Sequence, residues 1–317
     1  MHAALVTDYT KSPVFTLCSE PQPAPGEVLV HVTAAAKSQL VMAQASGKHY
    51  ASPKPPFIPG VDGVGKLENG QRVYFAFPRA PQGAMAQRVT VPQNYTVVLP
   101  DDVDDISAAA MANPGMSSWA ALNERAHFKS GEAVLIHGAS GASGRLAIQI
   151  ARYLGASRIV ATARSAHHAT DLIALGADAF IDLNQNPATL NALYQREFAA
   201  GLGIVLDFVW GPSAAIILQA AAPHAEGAAA PRIRYVNIGS MGGAEISLPA
   251  SVLRSSGLEL MGSGLGSVAH VDLVRCIGEM LRARQAGGFK IAATARPLNE
   301  VEKHWAVATP ERMVFTL

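Results

Sequence analysis

The sequence predicts an α/β protein in two parts, a small β-rich domain over residues 1–113 and a doubly wound parallel-sheet domain over 114–255. Three observations predict it. The first third alternates short apolar runs with Pro and Gly and has little helical periodicity, the pattern of a small barrel or sandwich. Beyond Pro114 the chain alternates buried-type strands with amphipathic helices, which implies right-handed crossovers onto a parallel sheet. A glycine-rich loop joins the first of those strands to its helix.

Composition fits such a protein. At 317 residues the chain is long for one core and comfortable for two. Hydrophobic residues make up 49% and charged residues 15%, which excludes a disordered chain. Lys+Arg 25 against Asp+Glu 24 leaves a net charge of +1, and without a concentrated basic footprint nucleic acid is not expected as a partner. Cys18 and Cys276 are isolated, so neither a disulfide framework nor a CxxC metal motif is expected. The first ten residues carry Asp8 and lack a basic segment leading into an apolar one, unlike a signal peptide. No apolar run reaches bilayer length, and the expectation is a cytoplasmic protein with no membrane association.

In the first domain, residues 28–32, 72–77 and 88–91 read as strands, the first preceded by a turn at 23–26. Residues 117–126 read as a helix. Residues 133–137 form a continuous apolar run ending in glycine, as expected of a strand covered on both faces. A helix over 145–154 follows, with Leu146, Ile150 and Leu154 on one stripe. Strands are then expected at 158–163, 179–181, 204–209, 232–238 and 258–261, and a helix at 171–175 is stopped by Gly176. The Ala/Gly-biased stretch 220–231 reads as a surface loop. A helix over 271–284 and a strand over 313–317 are expected to return to the first domain, which 256–317 completes.

The strongest chemical signal is Gly138-Ala139-Ser140-Gly141-Ala142-Ser143-Gly144. A pyrophosphate requires backbone N–H groups aimed at it with no side chain in the way, and a helix N-terminus adds partial positive charge. Gly141 would admit the diphosphate and Gly144 would let helix and strand pack closely. The alternative is a tight structural turn. An acid ending the second strand would bind the adenosine ribose hydroxyls. Here that strand ends Thr162-Ala163-Arg164-Ser165, with no acid, and Arg164 can pair with a 2′-phosphate. The cofactor expected is NADPH. His167 and His168 either add donors or are exposed histidines at a helix start.

The order of these features resembles the medium-chain dehydrogenase/reductase superfamily over essentially the whole chain. The pieces that carry the resemblance are Pro25-Gly26-Glu27-Val28-Leu29-Val30, Ile58-Pro59-Gly60-Val61-Asp62-Gly63-Val64-Gly65, Leu99-Pro100-Asp101, Gly115-Met116-Ser117-Ser118-Trp119-Ala120-Ala121-Leu122, the glycine loop, Leu175-Gly176-Ala177-Asp178 and Pro297-Leu298. The resemblance implies a GroES-like β-barrel catalytic domain, a Rossmann cofactor domain, an active site in the cleft between them and pairing into a homodimer. It also implies which residues would hold zinc, and here those positions are Ser38, Val61 and Asn113. Valine offers no donor atom, and the four-cysteine structural lobe is absent. This points to the zinc-independent, quinone oxidoreductase-like branch.

The resemblance implies further site residues. Tyr50, in Gly47-Lys48-His49-Tyr50, either donates to the substrate oxygen and relays a proton or only lines the cleft. Ser38 is a hydrogen-bond donor near nicotinamide or substrate, or a loop serine, and Val41 replaces a commoner Asp. Ser117 contacts the cofactor or caps its helix. Asn237, Ile238, Gly239 and Ser240 lie where ligands meet the carboxyl end of the fifth strand. Gly262, Ser263 and Gly264 border the nicotinamide or form a dimer edge. Arg312 lies beside the cofactor or is solvated. Asp207, a carboxylate in an apolar strand, is expected to be structural, and Trp119, Trp210 and Trp305 core or interface residues.

Without a metal, the chemistry expected is hydride transfer to an electrophile that needs little activation, a quinone or an α,β-unsaturated carbonyl. The alternatives are an enoyl-thioester reductase and a non-catalytic NADPH-binding protein.

Overall fold

The computed structural model describes residues 1–222, 229–309 and 311–317. Residues 223–228, half of the loop expected at 220–231, therefore lie outside the described residues. The chain divides into two units, one of Met1–Asn113, His270–Gln285 and Lys290–Leu317, the other of Pro114–Ala269 and Ala286–Phe289.

In the second unit six parallel strands form one sheet. In chain order they are Ala133–His137, Arg158–Ala163, Ala179–Asp182, Leu202–Asp207, Arg232–Asn237 and Gly257–Gly262. They lie side by side in the order third, second, first, fourth, fifth, sixth, the doubly wound arrangement of dinucleotide-binding domains. Ala133–His137 is buried at every position, as a central parallel strand must be. One core unites Leu135, Val160, Val205 and Tyr235 of the sheet with Leu190, Tyr194 and Phe198 of helix Pro187–Ala199 and Ile217 and Leu218 of helix Gly211–Ala220.

In the first unit, seven strands form the main sheet and His2–Leu5 pairs with Val14–Leu17. Glu27–Ala36 organises that sheet. It pairs antiparallel with Asp62–Leu67 along one edge. Along the other its first half takes Arg88–Pro92 and its second half Arg312–Thr316. One ten-residue strand thus serves three neighbours, with a register shift between Val32 and Ala34. The core beneath it includes Val30, Val73, Phe75, Val89, Met313 and Phe315.

Several expectations are corrected. The boundary expected after residue 255 moves to 269, because Gly257–Gly262 is paired along its length with Arg232–Asn237 in the parallel sheet. The helix expected at 117–126 is the end of a longer one, Asp105–Ala120, extended by a π-helical turn at Ala121–Arg125. Its start is set by Asp104, whose Oδ1 accepts from the Ser107 amide at 2.8 Å. Pro114 sits inside this helix, where it removes one backbone donor without ending it. The fourth strand runs Leu202–Asp207 rather than 204–209, because the Asp207 carboxylate accepts the amides of Val209 and Trp210 at 2.8 and 2.9 Å and turns the chain. No helix among the described residues is long and apolar enough to cross a membrane.

Candidate active site

In a doubly wound sheet, ligands meet the carboxyl ends of the strands. Four groups of expected residues follow such ends in this sheet. Ala139, Ser140, Gly141, Ala142, Ser143 and Gly144 follow the first strand, and Arg164 and Ser165 the second. Asn237 ends the fifth strand with Ile238 and Gly239 after it, and Gly264 follows the sixth.

The glycine loop is held from below. The Ala139 amide donates to the Thr162 carbonyl at 2.8 Å, and the Arg145 guanidinium Nε to the Ser140 carbonyl at 3.1 Å. Gly141 stands at the N-cap of the twelve-residue helix Ala142–Tyr153 with no side chain capping it, so the first-turn amides keep no side-chain partner. A methyl group on Gly141 would meet nothing within 4 Å, whereas one on Gly144 would lie 2.5 Å from the Ala139 Cα and 2.6 Å from the Gly138 carbonyl oxygen. Gly141 thus leaves open space where an anion can approach, and Gly144 is fixed by close packing of helix on strand. This cradle fits a dinucleotide diphosphate, and its backbone amides would hold one.

Beneath it lies a polar network. His137, fully buried, has Nδ1 2.9 Å from the Thr162 hydroxyl and Nε2 2.9 Å from the Ser213 hydroxyl. The Gly138 amide donates to the same Thr162 oxygen at 3.2 Å, and the Ser213 hydroxyl to the Trp210 carbonyl at 3.5 Å. With Thr162 donating to Nδ1 and Nε2–H donating to Ser213, every group has one role and the imidazole is neutral. Burial pushes its pKa down to about 4, against the pull of Asp207. The network ties the glycine loop to the turn after the fourth strand.

That turn carries backbone strain. Trp210 has φ 59° and ψ −158°, a region nearly closed to non-glycine residues. The Asp207 carboxylate stabilises it through the two amides already named and also accepts the Tyr235 hydroxyl at 2.9 Å. Asp207 is fully buried and structural in its contacts. Asn237 donates to the Gly239 carbonyl at 2.9 Å and shapes the loop after the fifth strand, and the Gly264 amide donates to the Ser267 hydroxyl at 2.7 Å.

Other expected residues behave differently. Ser117 is not at the head of a helix. It lies within Asp105–Ala120 and its hydroxyl donates to the Pro114 carbonyl at 2.7 Å, so the capping role is withdrawn. Its neighbour Ser118, not singled out from the sequence, is fully buried and donates to the Ser143 carbonyl in the glycine loop at 3.4 Å.

Ser38, Tyr50 and Arg312 belong to the first unit. Ser38 lies in the connection between a strand and a helix. It caps helix Gln39–Ala45, accepting from the Val41 amide at 3.0 Å, which leaves its hydroxyl proton available to donate. Tyr50 is 80% exposed, its ring packed against His49 with centroids 4.2 Å apart. Arg312 is half-buried. Its Nε is sealed from solvent without a partner among the described residues. The buried carboxylate of Asp62 attracts it, accepts the Tyr74 hydroxyl at 2.9 Å, and is pushed up to about 6 by burial. Lys37, next to Ser38, is buried and gives its three donors to the carbonyls of His304, Trp305 and Val307 at 3.0, 2.8 and 2.9 Å. Among the described residues no three His, Cys, Asp or Glu side chains are grouped to hold a metal ion.

No protein-family model matches the chain. It is 30% identical to the probable NADPH-dependent quinone reductase tdiC of Emericella nidulans, over 96% of both chains. The chain belongs to the quinone oxidoreductase family of medium-chain dehydrogenases/reductases. The likeness of this family member to the quinone oxidoreductase of Pongo abelii is 31% over 49% of its length and 50% of the relative's. The quinone oxidoreductase from Thermus thermophilus, solved alone and with NADPH, superposes with a TM-score of 0.81 and 27% identity, covering all of both chains.

Proposed function

We propose that the protein reduces quinones, and α,β-unsaturated carbonyls of similar electrophilicity, by direct two-electron hydride transfer from NADPH without a metal. The observation that carries this reading is the open cradle at Gly141, in a chain that aligns along 96% of its length with an NADPH-dependent quinone reductase. NADPH supplies the hydride. The loop amides neutralise its diphosphate, Arg164 pairs with its 2′-phosphate, and the loops after the fifth and sixth strands fix the nicotinamide ribose. Ser38 and Tyr50 donate hydrogen bonds to the substrate oxygen as negative charge develops there, and a proton from solvent completes the hydroquinone. Zinc independence is supported by the identity of Ser38, Val61 and Asn113, of which valine offers no ligand atom.

The test follows NADPH oxidation optically against 1,4-benzoquinone, 9,10-phenanthrenequinone, a 2-alkenal and crotonyl-coenzyme A, each repeated with NADH. Quinone turnover with NADPH preferred supports the proposal. NADPH binding without turnover of any quinone or enone would reject it. Pairing into a homodimer through the sixth strand belongs to the same reading. Gly257–Gly262 ends the sheet with one edge that pairs with no strand among the described residues, and Leu260 on it is 41% exposed. Two separated thiols, Cys18 and Cys276, suit a reducing cytoplasm.

A further inference from the structure

Arg164 does not stand alone at the end of the second strand. After it come Ser165 and a single 3₁₀ turn, Ala166–His168, leading into helix Ala169–Ala174. The imidazoles of His167 and His168 lie with centroids 3.8 Å apart, tilted by 50°. The Ser165 hydroxyl fixes His167 through Nδ1 at 2.5 Å. The ionisable groups that act on His168 are His167, Arg145 on helix Ala142–Tyr153 and Asp171 on the following helix, while Arg164 follows the second strand three residues before His167 and Asp182 pairs with Ala163 at the end of the third strand. Asp171 already serves Arg145 at 3.5 Å, and Asp182 accepts the Asn184 amide at 2.9 Å. Arg145 also reaches the Ser140 carbonyl of the glycine loop, so the pair and the diphosphate cradle share one guanidinium.

Two imidazolium charges at this separation repel, and Arg145 adds to the repulsion on His168. Burial, the neighbouring His167 and Arg145 hold the His168 pKa below the usual histidine value, with Asp171 opposing. His168 is therefore held toward its neutral form. A phosphomonoester dianion placed here reverses the balance, because its two charges offset the repulsion and accept hydrogen bonds from protonated rings.

We propose that the His167–His168 pair takes up a proton when the 2′-phosphate of NADPH binds beside Arg164, making the preference for NADPH over NADH depend on pH. The inference rests on the NADPH reading above and adds to it a regulation of the same subsite. The sign follows from linkage. A histidine whose pKa rises on binding strengthens binding below its free pKa, and that gain is lost as pH rises through its bound pKa. A rise of about one unit on one ring changes the preference by at most about tenfold between the protonated and deprotonated limits, so a several-fold fall is expected between pH 6.5 and 8.5. The phosphate's own second proton, with a pKa near ~6, acts with the opposite sign and is nearly gone above pH 7.

Isothermal titration of the whole protein with NADPH and with NADH, in buffers of different ionisation enthalpy at pH 7.0, counts the protons directly. We expect net uptake of a fraction of a proton with NADPH, none with NADH, and an affinity ratio that falls several-fold from pH 6.5 to 8.5. The double variant His167→Gln/His168→Gln should abolish the uptake and flatten the ratio, with its NADH affinity and melting temperature unchanged as the control for folding. NADPH binding that is preferred but proton-neutral, or uptake that survives in the double variant, overturns the inference and leaves the NADPH reading standing. Equal affinity for the two cofactors at every pH overturns both.

Discussion

Replacing each of two glycines in one loop by alanine separates binding from folding. At Gly141 an added methyl meets nothing within 4 Å, so the protein should fold as before. Alanine is a weaker N-cap than glycine by several tenths of a kcal/mol, but it also restricts the unfolded chain by about 0.4–1 kcal/mol, and these nearly cancel. The methyl occupies the approach of the diphosphate. Losing one charge-assisted amide–phosphate hydrogen bond costs about 1.5–3 kcal/mol, or about ten- to a hundredfold in NADPH affinity. At Gly144 the methyl meets backbone atoms at 2.5 and 2.6 Å, which cannot rotate away, so helix and strand must separate. Overpacking of this kind costs about 1–3 kcal/mol, about 2–10 °C in melting temperature for a domain of this size. The assay is a fluorescence titration with NADPH beside a thermal melt, for both variants. Gly141→Ala protein that binds NADPH like the wild type would refute the assignment of the loop, and Gly144→Ala protein with an unchanged melt would refute the packing argument.

Arg164→Ala should weaken NADPH about fivefold or more, a loss of about 1 kcal/mol, and leave NADH nearly unaffected; equal losses for both cofactors in direct titration would remove the phosphate assignment. Lys37→Met keeps the aliphatic stem but leaves three carbonyls without their ammonium, and should cost about 2–4 kcal/mol in chemical denaturation, whereas a change below about 0.5 kcal/mol would mean that water replaces the ammonium without loss. Asp62 and His137 make stability respond to pH in opposite directions. The raised Asp62 pKa stabilises fully below about 4 and its contribution is lost as pH rises through about 6. The depressed His137 pKa stabilises fully above about 6.5 and its contribution is lost as pH falls through about 4. Asp62→Asn should therefore steepen the loss of stability on acidification from pH 6.5 to 4 by on the order of 3 kcal/mol, read from denaturation midpoints.

What could be read from the sequence was whatever depends on neighbours along the chain. The parallel strands announce themselves because burial on both faces demands an unbroken apolar run, as in Ala133–His137. The glycine loop was legible for the same reason, since strand, loop and helix are consecutive. Local rules failed where the fold overrode them. Pro114 reads as a boundary, yet Asp104 starts a helix well before it and the alanine-rich run from Ala108 carries the helix through. Features that join distant positions were not legible. His137 meets Thr162 and Ser213 across separations of 25 and 76 residues, and Lys37 meets carbonyls 267 to 270 residues away. A lone histidine or lysine carries no sign of such partners. The surroundings of Arg312 were not legible either, since nothing near it in sequence shows that the strand it opens pairs with Ala34–Ala36 inside a sheet.

Direct hydride transfer from NADPH to a quinone is tested most directly in a single turnover. Enzyme loaded with NADPH, or with NADPH deuterated at nicotinamide C4, is mixed with 9,10-phenanthrenequinone after treatment with a chelator, and loss of nicotinamide absorbance is followed. Rapid loss is predicted, slower with the deuterated cofactor and unaffected by the chelator. No loss of absorbance from a bound cofactor, or a loss that the chelator abolishes, would contradict it.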